Sequence, residues 1–151
     1  MGNRNKELFE EKLQGIDSEE ERNTIKDIRD MLSYLVKKNH GETVYGDGPK
    51  KAAFFAKWVS YGNRTRVTIE YEESKNSFDL WFLYEDLDEK RPTLKERFVD
   101  CLENHFPYLR GDKAKQRKSA HESNNPCLPI SECIGKVHLL GECLKMLNET
   151  R

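Results

Sequence analysis

The sequence predicts an α+β fold: an antiparallel meander of three or four strands with helices packed on one face. The expected order is helix-(helix)-β-β-β-helix-loop-helix. Three observations predict it. Runs rich in aromatic and β-branched residues, AAFFAKWVSY, RVTIEYE and FDLWFLY, follow one another within 52–84, separated only by turn-like YGNRT and ESKNS. Apolar residues at helical spacing flank this region on both sides. Strand-like and helix-like segments alternate too little for a doubly wound βαβ sheet.

The first helix is expected over 5–14, where Leu8, Phe9 and Leu13 share a side and Gly15 ends the run. Asp17 then offers an N-cap with Glu20 three residues on, a capping-box spacing. A longer helix over 18–38 follows, with Ile25, Ile28, Leu32 and Leu35 on its buried stripe. Glu19, Glu20 and Glu21 open it and Lys37 and Lys38 close it, so both ends complement the helix dipole. Gly41 is the expected stop.

A short strand at Thr43–Tyr45 precedes a Gly-Asp-Gly-Pro turn. In the first meander run, Phe54, Ala56 and Trp58 oppose Phe55, Val59 and Tyr61, with Lys57 interrupting the second side. In the next, Val67, Ile69 and Tyr71 alternate with Arg66, Thr68 and Glu70, the pattern of one buried and one wet face. In the third, Phe78, Leu80, Phe82 and Tyr84 share a face against Trp81 and Leu83, which places this strand towards the sheet's centre. An acidic link, 85–89, leads to Pro92. Thr93, with Glu96 in the capping-box position, opens a helix carrying Leu94, Phe98, Cys101 and Leu102 as far as about His105. Residues 107–130 read as a long exposed basic loop, with Arg110, Lys113, Lys115, Arg117 and Lys118 against Asp112. Ser131 is the expected cap of a last helix over 132–148, whose buried side holds Val137, Leu140, Leu144 and Leu147.

The 151 residues suit one domain, 1–151, large enough to bury a conventional core. Charged residues make up 35% and apolar residues 36%, and mean hydropathy is -0.89, a strongly polar composition. A net charge of -1 supplies no global pull towards nucleic acid or an anionic membrane. No apolar run approaches the ~20 residues that span a bilayer, and the charged start MGNRNKELFEEKL lacks a secretory h-region. The expected location is cytoplasmic, with the four cysteines as reduced, structural or incidental thiols.

Chemistry is sparsely signposted. Cys101 and His105 lie four apart on one helix face, and His121, Cys127, Cys133 and His138 follow as zinc candidates. No C-x₂-C knuckle is present, so the spacing favours no metal, and no cofactor is expected. Gly46 to Lys51 lacks the phosphate-loop pattern and reads as a turn with solvated lysines. Glu70, Glu72 and Asp79 on adjacent strands would suit a metal-dependent hydrolase or nuclease, but Glu70 and Glu72 alternate with Val67, Ile69 and Tyr71, the pattern of an ordinary solvent face. Cys127, between Pro126 and Pro129, reads as the most exposed thiol.

For binding, Lys57, Tyr61, Arg64 and Arg66 form a basic and aromatic sheet surface. Lys113, Lys115, Arg117 and Lys118 add a basic loop, a pattern that single-strand nucleic-acid binders use. Phe55, Val59 and Tyr61 form an apolar patch that either meets a partner or lies under the 5–14 helix. The reading that results is a non-enzymatic binding or interaction module for a protein partner or a second copy. Nucleic acid is the alternative ligand and a hydrolase the competing class.

Overall fold

Apolar side chains recur at every second residue of the central strands, and the outcome is a five-stranded antiparallel sheet in which sheet order is chain order. Its strands are β1 Glu42–Tyr45, β2 Ala53–Trp58, β3 Arg64–Glu72, β4 Ser77–Phe82 and β5 Cys127–Pro129. The computed structural model describes residues 2–46, 52–58, 64–82, 93–111 and 126–148, with backbone alone for 2, 3 and 64–66. The expected α+β meander is therefore present, and β5 extends it. That strand comes from the far end of the 107–130 segment, where the sequence suggested only an exposed loop. Leu109, Cys127, Leu128 and Ile130 are all buried there, while 112–125 lies outside the described residues.

Register sorts the sheet into two faces. Tyr45, Phe54, Ile69, Leu80 and Leu128 are successive cross-strand partners on the inner face, and Thr43, Ala56, Val67 and Phe82 form the next row. The outer face carries Val44, Phe55, Thr68, Trp81 and Cys127 in one row and Ala53, Glu70, Asp79 and Pro129 in another. Between Ala56 and Lys57 the register shifts, so that Val67 faces Ala56 but Thr65 faces Lys57. Arg66 is the additional residue of this bulge.

The helices are α1 Gly2–Gln14, α2 Glu19–Lys38, α3 Leu94–His105 and α4 Val137–Leu144. Their buried side chains join the inner-face rows in one continuous core. The ring of Phe9 in α1 meets Tyr45, Phe78 and Phe54 at centroid distances of 5.5, 5.0 and 6.2 Å, so α1 lies across the inner face. The alternative in which this helix shields Phe55 on the outer face is thereby excluded. Polar contacts fix where α1 and α2 cross the sheet. Asn76 donates to the Gly15 carbonyl at 3.0 Å, and Ser77 donates to Glu21 at 2.7 Å.

Several helix ends differ by a residue or more from the sequence reading. Ser18, not Asp17, caps α2: its hydroxyl accepts from the Glu21 N–H at 3.2 Å. At the other end, Gly41 is one residue beyond the left-handed position. His40 occupies that position at φ 63°, its N–H bonding the Lys37 carbonyl at 3.1 Å, while the Gly41 N–H reaches the Val36 carbonyl at 2.8 Å. These two bonds form a Schellman stop. Thr93 adopts φ 71° and makes no side-chain cap bond, so the expected capping box is absent. The last helix is shorter than 132–148. Single 3₁₀ turns, Ile130–Cys133 and Lys145–Asn148, flank α4, and Lys136 rather than Ser131 stands at its cap. The second turn brings Asn148 back to the core, where Trp58 Nε1 donates to Oδ1 at 2.6 Å and Nδ2 donates to the Leu35 carbonyl at 2.8 Å. Among the described residues, no helix is long and apolar enough to cross a membrane.

Candidate functional site

At β1, the first strand of the sheet, α1 and α2 overhang and leave a cleft of about 300 Å³. Its floor is aromatic, from Tyr45 on β1 and Phe54 on β2, whose rings stand edge to face at 5.1 Å. Its walls are charged and come from residues one step around each helix from the buried stripe. In α1, Glu10 follows Phe9, with Lys6 one turn earlier. In α2, Arg29 and Ser33 flank Ile28 and Leu32, and Asp30 completes the wall. A residue beside an apolar stripe has its stem held by the core while its head reaches the rim.

Arg29 organises this cleft. Its Nη1 donates to Glu10 Oε2 at 2.5 Å, and its guanidinium lies 5.7 Å from the centroid of Phe9. The Arg29 side chain is 18% exposed and that of Glu10 37%. Burial works against the Arg29 charge, but the Glu10 hydrogen bond and the neighbouring Tyr45, Glu10 and Asp30 outweigh it and raise the pKa. Burial raises the Tyr45 phenol above its ordinary value, against the opposing pull of Arg29. Tyr45 is therefore a neutral hydroxyl at physiological pH, beside a permanent cation.

The backbone of β1 adds a second feature. The Gly46 N–H bonds the Ala53 carbonyl at 2.7 Å. Hydrogen-bonded pairs alternate along an antiparallel ladder, so Val44 with Phe55 and Glu42 with Lys57 continue that series. Thr43 and Tyr45 consequently turn their N–H and C=O groups to the far edge. Among the described residues no strand pairs with β1 on that side. The same two residues line the cleft with their side chains.

The residues singled out from sequence fall elsewhere. Lys57 lies on the outer face opposite Glu42. Arg64 and Arg66 are in β3 at the bulge. Tyr61, Lys113, Lys115, Arg117, Lys118 and His121 lie outside the described residues, as does the acidic link 85–89. Glu70 and Asp79 are cross-strand partners on the outer face, and Glu72 faces Ser77. Asp79 is buried and ion-paired with Lys75 at 2.5 Å, and Glu72 accepts from Ser74 at 2.8 Å.

Among the described residues Cys127, Cys133 and His138 do not form a metal-ligand group, and His121 lies outside those residues. Cys127, far from being the most exposed thiol, is 1% exposed on β5. Cys133 is buried in the 3₁₀ turn with its sulfur 3.9 Å from the Pro129 carbonyl. Burial pushes its thiol up to about 12. His138 is exposed on α4. Among the described residues, the pair that shares a face of α3, Cys101 and His105, is joined by Cys143 of α4, and the three bring metal-ligand atoms within 4.8 Å of one another. Cys101 and Cys143 form a disulfide with Cα atoms 5.7 Å apart, a correction to the reading of all four cysteines as thiols.

No family model, curated protein or solved structure matches the chain. Sequence reasoning passed over Arg29, Glu10 and Ser33. The available signal was their place beside the apolar stripes of both helices, with Tyr45 on the strand that the two helices overhang.

Proposed function

We propose that the chain is a non-enzymatic interaction module that binds an extended segment of a protein partner along β1. The open backbone edge of Thr43 and Tyr45 beside the 300 Å³ cleft carries this reading. A strand added to a sheet edge gains affinity from main-chain hydrogen bonds and specificity from pockets that take alternate side chains. Here the pocket adjoins the edge directly. Its two cations, Arg29 and Lys6, are balanced by Glu10 and Asp30, and Arg29 already holds one carboxylate, that of Glu10, so the group that fits there is a carboxylate on the incoming segment taking up the same guanidinium. A guanidinium has five donors in a planar fork, so it can accept a second acid beside or in place of Glu10.

Thr43→Pro separates edge binding from folding. The Thr43 N–H points away from β2, so proline there removes no bond of the existing ladder, and edge strands tolerate it in that position. Displayed libraries of extended hexapeptides would be selected on the native chain. The expected result is acidic peptides that shift the β1 amide resonances, lose binding on Thr43→Pro and weaken at least about tenfold on Arg29→Gln, the scale of one charge-assisted hydrogen bond. Peptides that bind Thr43→Pro as well as the native chain, or an absence of selected peptides, would overturn the reading.

A further inference from the structure

We infer that Cys101, His105 and Cys143, once the disulfide is reduced, form a binding site for a thiophilic divalent cation of the zinc type. Two independent placements converge on it. Cys101 and His105 are four residues apart in α3 and so share one helix face. Cys143 approaches from α4, the helix packed against α3, and the three donor atoms lie within 4.8 Å of one another. Two thiolates and an imidazole are a zinc donor set, and with a divalent ion they make a locally neutral centre.

The backbone serves both states. A Cα separation of 5.7 Å suits a disulfide. Two sulfurs on one tetrahedral zinc stand about 3.8 Å apart, given Zn–S bonds of about 2.3 Å. Side-chain rotation spans that change without moving the helices. Cys143 is fully buried, whereas Cys101 and His105 are half-buried. The ion would thus be held from the core side with its fourth position towards solvent, as in zinc sites that keep one exchangeable ligand. Lys136 steadies the histidine's end of α3. Its Nζ donates to the His105 carbonyl at 3.3 Å, not to the imidazole, and lies 5.6 Å from the centroid of Phe106. The other two cysteines do not compete, since Cys127 and Cys133 are buried on and beside β5.

The chemistry balances with an external dithiol as reductant. Its two thiols give two electrons and two protons to the Cys101–Cys143 bond and leave as a disulfide. The two cysteine thiols then lose their protons to solvent as the cation binds. Oxidation and metal binding are therefore mutually exclusive at this site, and the disulfide form offers no thiolate to an ion.

Cobalt(II) titration of the whole chain tests this, because thiolate-to-cobalt charge-transfer bands report the ligands directly. The reduced chain is expected to take one cobalt per molecule with such bands, which zinc displaces. The oxidised chain is expected to give none. Cys101→Ser should abolish the bands. His105→Gln should keep weakened thiolate bands and lower affinity by about tenfold or more, since one ligand of three is lost. Zinc should also raise the melting temperature of the reduced chain and leave that of the oxidised chain unchanged. Bands that persist in Cys101→Ser, an affinity indifferent to His105→Gln, or a reduced folded chain without stoichiometric bands would each overturn the inference.

Discussion

Asn148 shows how one side chain can hold two distant parts of this fold. It accepts from the Trp58 indole and donates to the Leu35 carbonyl, so the chain's last turn is fastened to β2 and α2 together. Trp58 is fully buried, and its N–H has no water to fall back on. Asn148→Ala should cost about 2 kcal/mol in urea unfolding, the penalty for orphaning a buried donor. A double-mutant cycle with Trp58→Phe should recover most of that loss, and purely additive losses would mean that the bond contributes little. Cys133 makes a different demand on its surroundings. Burial, then the charge of Glu132, raises its thiol from 9.0 to about 12 against the pull of Lys136. Because the folded value is the higher one, this group's contribution to stability is intact below about 9 and is lost as pH rises towards 12. Cys133→Ala should therefore show a shallower alkaline loss of stability than the native chain, and equal slopes would rule the cause out. In the native oxidised chain neither Cys127 nor Cys133 should react with a thiol reagent at about pH 8.5, because both are buried.

Helix and strand approach closely where α2 turns into β1. Gly41 sits under the Lys57 carbonyl of β2, and a Cβ there would collide with that oxygen and stand 2.8 Å from Val36 Cγ1. The carbonyl belongs to a paired strand and cannot give way cheaply. Gly41→Ala should destabilise by about 1–3 kcal/mol, the usual range for overpacking, read as a shift of the denaturation midpoint at constant m-value. An unchanged midpoint would mean that the joint has slack. Gly41 was legible in the sequence as a helix stop, but its decisive role is this close approach, which depends on a residue sixteen positions later. The same limit applies elsewhere. The stripes of α1 and α2 and the alternation of β3 and β4 were readable because each is a local period. β5 was not, because a three-residue strand has no period and forms only by pairing with β4. The caps slipped for a related reason, since Asp17 and Ser18 are both competent and only geometry chooses between them. Of the candidate site, the sequence disclosed the strand Thr43–Tyr45 but not the overhang of α1 and α2 that turns it into a cleft.

At the scale of the molecule, the described residues end the sheet in β1 and β5, and these two strands differ in what they can do. β5 is three residues long and ends in Pro129, which has no N–H to offer, so that edge is blunted. β1 is four residues long and presents the outward groups of Thr43 and Tyr45. Two copies pairing β1 against β1 would form at most about four backbone hydrogen bonds, worth roughly 4 kcal/mol net. Association costs about 4–15 kcal/mol before any contact is gained. Edge pairing alone therefore fails to hold a dimer at micromolar concentration. An incoming segment that also fills the cleft adds burial against Tyr45 and Phe54 and a charge-assisted bond to Arg29, which tips the balance. The chain by itself should sediment at its monomer mass of 17.8 kDa at tens of micromolar and below. It should change mass only when such a segment is supplied as part of a partner. A concentration-dependent doubling of mass that Thr43→Pro removes would assign the edge to a second copy instead, and a doubling that survives that substitution would place self-association on another surface.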